Sequence, residues 1–111
     1  MLYRGIFFLI IVNFTLLATA YDAIAEFRFR DGTKIEIQWY EKEGAILNQH
    51  VCFNYKKNER KYKQCRKKAV EYFKEECDFY KDKIRATQRK YRSMYEPEKD
   101  KFCNTSDSYR P

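Results

Sequence analysis

The chain has 111 residues, with 23 Lys and Arg against 16 Asp and Glu for a formal net charge of +7; 18% of its residues are aromatic and only three are glycine. A chain of this length supports at most one small domain once any targeting segment is removed. So few glycines exclude a glycine-rich phosphate-binding loop, and the single histidine, His50, leaves little material for a zinc site.

The first twenty residues read as an export signal. One positive charge, Arg4, precedes an apolar run from Gly5 to Leu17, and Ala18-Thr19-Ala20 fits a small-residue cleavage site. Cleavage after Ala20 leaves Tyr21 to Pro111 as one exported domain, periplasmic or secreted, with 22 basic residues against 16 acidic. Uncleaved, the segment Ile6 to Ala20 would act as a membrane anchor, although it is short of the roughly 20 residues that span a bilayer.

From Glu26 to Trp39 the chain reads as a β-hairpin, because Phe27-Arg28-Phe29 and Ile35-Glu36-Ile37 alternate on either side of Asp31-Gly32. A three-residue loop, Asp31-Gly32-Thr33, sets Phe29 opposite Ile35, Phe27 opposite Ile37 and Arg28 opposite Glu36. Phe27, Phe29, Ile35, Ile37 and Trp39 then share one face. A lone hairpin is marginal, so that face must cover something else.

Residues 41–54 are expected as a short helix, with Ile46, Leu47, Val51 and Cys52 near one side and Gly44 weakening its first turn. The long amphipathic helix is expected over residues 58–95. Apolar and small side chains at Tyr62, Cys65, Ala69, Phe73, Cys77, Tyr80, Ile84, Tyr91 and Tyr95 recur every three or four residues, with Asn58 as N-cap and Glu59 in the first turn. Glu96-Pro97 is expected to end it, leaving a polar tail over 96–111. The expected fold is therefore α+β: a hairpin packed on an antiparallel helical hairpin.

Four cysteines in an exported chain imply two disulfides. Cys65 and Cys77, twelve residues apart on one helix, lie about 18 Å apart and cannot join. An antiparallel turn near Lys57 brings Cys52 level with Cys65. Cys103 reaches Cys77 across about 27 Å of helix, against about 45 Å for Cys65. The expected pairs are Cys52 with Cys65 and Cys77 with Cys103.

Motifs for catalysis are sparse. Ser93, Ser106 and Ser108 lie outside any nucleophile motif, and no cofactor or metal site is expected. The string His50-Val51-Cys52-Phe53-Asn54-Tyr55 resembles the His-Asp-x-Cys-Tyr motif of secreted phospholipases A2. Val51 stands where that motif has its calcium-holding Asp, and no glycine-rich calcium loop precedes it. The acidic residues Glu71, Glu75, Glu76, Asp78 and Asp82 read as partners in helix-surface ion pairs, together with Glu59 to Lys63. Asn104-Thr105-Ser106 is a glycosylation sequon.

A second resemblance covers about a third of the chain. Ile37-Gln38-Trp39-Tyr40, then Cys52, then Cys65-Arg66-Lys67-Lys68-Ala69 is similar to the entry-exclusion lipoproteins of conjugative plasmids. The resemblance implies an envelope protein that blocks a second transfer into the cell without catalysis. This chain lacks the lipid-attachment Cys of that family and carries two further cysteines and a longer helix after Ala69.

The functional expectation is a non-enzymatic binding protein that works by protein contact. Trp39, Tyr40 and the basic turn formed by Lys56, Lys57, Arg60, Lys61, Lys63 and Arg66 are the contact residues, since aromatic and Arg side chains dominate interfaces. An anionic lipid or polysaccharide is the alternative partner for the basic excess, nucleic acid being a poor match for an exported chain. The rival from another class is a small secreted hydrolase using His50 with an acidic partner.

Overall fold

The computed structural model describes residues 23–28 and 34–111. The export signal at 1–20 and the Asp31-Gly32-Thr33 turn lie outside them. Strand β1 (Ala23–Arg28) pairs antiparallel with β2 (Lys34–Trp39), so the expected hairpin is present. Its register differs from expectation by two residues. Phe27 pairs with Ile35, Ala25 with Ile37 and Arg28 with Lys34. A shift of two preserves strand parity, and Ile35, Ile37 and Trp39 are all buried while Lys34 and Glu36 are exposed. The alternating pattern decides which face turns inward, whereas the length of the connection decides which residues meet.

The short helix expected over 41–54 does not form. Its place is taken by a small second hairpin, β3 (Glu41–Lys42) with β4 (Ala45–Ile46), followed by 3-10 turns at Asn48–His50 and Phe53–Tyr55. Glu43 and Gly44 both have positive φ, 54° and 79°, as the central pair of a tight two-residue hairpin turn requires. Gly44 thus marks a turn rather than a weak first turn of a helix. Cys52 is left-handed as well (φ 67°), and its amide donates to the Gln38 carbonyl at 2.7 Å, which fastens the irregular segment to the edge of β2.

Helix α1 runs Glu59–Ala86 and starts as expected: Asn58 Oδ1 accepts from the Lys61 amide at 3.2 Å and Glu59 stands in the first turn. It ends nine residues before Tyr95, the expected end. Thr87 is extended, its hydroxyl donates to the Lys83 carbonyl at 2.6 Å, and its own carbonyl accepts from Arg92 Nε at 2.9 Å. A 3-10 stretch, Arg89–Met94, turns the chain back into α2 (Glu96–Ser108), where a polar tail was expected. Pro97 therefore opens a helix instead of closing one. In the first turn its missing N–H costs nothing, and Glu96 and Glu98 beside it suit the positive helix end.

The physical reason for the break is burial. Helices α1 and α2 pack antiparallel, which returns Phe102 and Tyr109 to Phe73; extending α1 to Tyr95 would leave both rings without a core to enter. Trp39 joins this cluster edge-on to Phe73 at 5.6 Å, and Tyr80 stacks on Phe102 at 6.0 Å. The fold is thus an α+β domain of hairpin and antiparallel helix pair, with the second helix at the C-terminal end. Both expected disulfides are present: Cys52–Cys65, with Cα atoms 6.0 Å apart, and Cys77–Cys103, with Cα atoms 4.7 Å apart. The second is reached by a returning helix, not by an extended tail. Two disulfides fit an oxidising compartment. None of the described helices is long and apolar enough to cross a membrane.

Candidate binding surface

The first turns of α1 and the turn before it concentrate the charge of the whole chain. Residues 56–68 hold eight basic side chains and one acidic, Glu59, for a net +7, equal to the formal charge of the full sequence. The remaining residues balance at 15 basic against 15 acidic. Lys56, Lys57, Arg60, Lys61 and Lys63 are all exposed. Lys63 Nζ lies 3.2 Å from Glu59 Oε1, and both side chains of that pair are more than 70% exposed, where such a contact is worth under about 1 kcal/mol.

The aromatic half of the expected contact set lies elsewhere. Trp39 is 2% exposed, and its indole Nε1 donates to Glu41 Oε1 at 3.0 Å, so it belongs to the core and cannot meet a partner. Its strand parity with Ile35 and Ile37 puts it on the inward face, which is incompatible with a contact role. Tyr40 is half-buried, stacked on Phe53 with ring centroids 4.3 Å apart and edge-on to His50 at 5.6 Å.

Arg66 has a role that its place in a basic run conceals. Its Nη1 donates to the carbonyls of Asn48 (3.0 Å) and Val51 (3.2 Å), and Nη2 to that of Arg110 (2.8 Å). The guanidinium lies over the rings of Tyr109 (4.8 Å) and Tyr62 (5.7 Å), and the Tyr109 hydroxyl donates to the Arg66 carbonyl at 2.8 Å. Burial pushes the Tyr109 phenol up to about 12, against the opposing pull of the Arg66 charge. No carboxylate among the described residues neutralises Arg66. A planar fork of donors suits this work as an ammonium would not. Arg66 therefore ties three separate segments together: α1, the 3-10 turns and the chain after α2.

Those three segments wall a cleft of about 740 Å³ lined by Gln49, Glu59, Tyr62, Lys63, Arg66, Lys67 and Pro111. Gln49 and Pro111 were not among the expected contact residues, since only the fold brings them beside Lys63, whereas Lys67, also outside that set, stands one helical turn after Lys63 and could have been found from the helical repeat.

No protein-family model, curated protein or solved structure matches the chain. The likeness to entry-exclusion lipoproteins rests on its residues alone.

A second charged cluster lies where α2 meets β3. Lys101 Nζ is 3.0 Å from both Glu41 Oε1 and Glu98 Oε2, and the Glu41 and Lys101 side chains are 8% and 12% exposed. Burial lowers the Lys101 ammonium, but its bonds to Glu41 and Glu98 outweigh that and raise it overall. Glu76 nearby is raised by burial first, then by the like charges of Glu75 and Glu98. Burial likewise raises Tyr72 and Tyr80. Every member of the Glu41–Lys101–Glu98 set is satisfied internally, so the cluster reads as part of the packing. Among the described residues no group of three His, Cys, Asp or Glu is placed to hold a metal ion.

Proposed function

We propose that the chain is an exported, non-catalytic binding protein, released from its signal near Ala20, that acts by contact with an acidic surface on another protein. The observation that carries this reading is the location of its charge: the net +7 resides in residues 56–68, where Lys56, Lys57, Arg60, Lys61, Lys63 and Lys67 are exposed, in the turn before and the first turns of a helix anchored at Cys65 by a buried disulfide. A rigid helix face of one sign steers and orients a partner of the opposite sign while its other face remains in the core. Compared with a flexible basic tail, such a face loses little conformational freedom on binding.

The test is affinity capture of the oxidised protein lacking residues 1–20, from the envelope and the medium of its source cells, at two salt concentrations. The charge-reversed variant Lys57→Glu/Lys61→Glu/Lys67→Glu serves as control. The reading expects one protein retained by the parent at both salts and lost by the variant. Retention only of lipid or polysaccharide, released at the higher salt, would make an anionic surface the partner instead.

A further inference from the structure

We infer that the cleft beside Arg66 is the specific seat on this basic surface, and that it takes an extended acidic peptide segment of the partner. This deepens the proposed function and rests on it.

The cleft, at about 740 Å³, is in the size range that encloses a ligand of several residues, far more than a lone phosphate or carboxylate needs. Its lining combines an aromatic wall, Tyr62, with three cationic side chains, Lys63, Arg66 and Lys67, against one acidic side chain, Glu59. Apolar surface with several cations at its edge suits a strand-like peptide whose acidic side chains alternate with apolar ones. A membrane surface is flat and would meet the convex cationic flank of α1, not the concavity. A polysaccharide polyanion would follow the cations on both flanks.

The helix itself separates those flanks. At 100° per residue, Glu59, Tyr62, Lys63, Arg66 and Lys67 fall within an arc of about 140°, whereas Lys61 lies on the far side of the helix from its centre. Arg66 contributes by positioning. Its bonds to Asn48, Val51 and Arg110 set the distance between the walls before any ligand arrives, which lowers the ordering cost of binding.

The geometry permits a matched test. Lys63→Gln/Lys67→Gln and Lys57→Gln/Lys61→Gln each remove two exposed positive charges, but only the first pair lines the cleft. The probe is a fluorescein-labelled, C-terminally amidated peptide of alternating Glu and Leu, titrated with the oxidised chain and read by anisotropy. Phosphatidylglycerol vesicles are measured in parallel. The inference expects saturable peptide binding, weakened about tenfold or more in the cleft variant and less than about threefold in the flank variant. Equal losses in the two variants would overturn the cleft and leave the basic surface as the contact. Vesicle binding without peptide binding would overturn the protein-partner reading itself.

Discussion

Where α2 meets β3, one lysine ammonium lies within hydrogen-bond distance of two carboxylates, and the Glu41 side chain is 8% exposed. Across residues 56–68 there are eight cations to one carboxylate, and six of them, Lys56, Lys57, Arg60, Lys61, Lys63 and Lys67, stand in open solvent. The first arrangement satisfies its charges internally and holds an element of the fold, because an ion taken out of water must recover its lost hydration locally. The second leaves its charges to water, which costs the fold little and makes them available to a partner. Between the two regions, Arg66 is charged, half-buried and bonded to backbone carbonyls, so it supports the shape of the cleft while leaving its positive charge uncompensated.

This contrast can be broken by measurement. The largest effect is expected from the cross-link that holds the two helices on which the buried cluster depends. Replacing Cys77 and Cys103 by Ala opens a loop of 26 residues and should lower unfolding free energy by about 3.5 kcal/mol, measured by urea titration. Breaking the cluster directly comes next. Lys101→Met leaves Glu41 in the interior without its cation, and a loss of about 3 kcal/mol is expected, against a much smaller one for a lysine in the exposed block such as Lys61→Met.

A smaller, pH-dependent effect belongs to Glu76. Its carboxyl titrates above its unfolded value, so folding favours the protonated form. The stability associated with it is complete below the unfolded value near 4.5 and is lost as pH rises through the raised folded value. Glu76→Gln should therefore unfold at a higher temperature than the parent at pH 7, with the gap closing by pH 4; thermal melts by circular dichroism at both pH values decide it. The smallest change is expected in the exposed block: Glu59→Gln, which removes the Lys63 pair, should cost under about 0.5 kcal/mol. A loss above 1 kcal/mol there would mean that the basic face is structural after all.

Much of this was legible in the sequence, and the boundary between what was and was not has a physical basis. Periodicity marked the inward faces, so Ile35, Ile37 and Trp39 on β2 and Cys65, Ala69, Phe73 and Cys77 on α1 are buried as their spacing requires. The N-cap at Asn58 and both disulfide pairs also followed from local rules and from the rise of a helix. What the sequence could not decide is where a continuous pattern stops. Nothing local at Ala86 or Thr87 outweighs the apolar repeat that runs on to Tyr95, and Pro97 is as compatible with the start of a helix as with an end. The tertiary structure settled both, because only a returning α2 gives Phe102 and Tyr109 a core to enter. The same holds for the hairpin register, the turn at Glu43-Gly44 and the cleft. Each depends on which segments meet in space, and Arg66, one basic residue among eight, acquires its role only when three distant carbonyls converge on it.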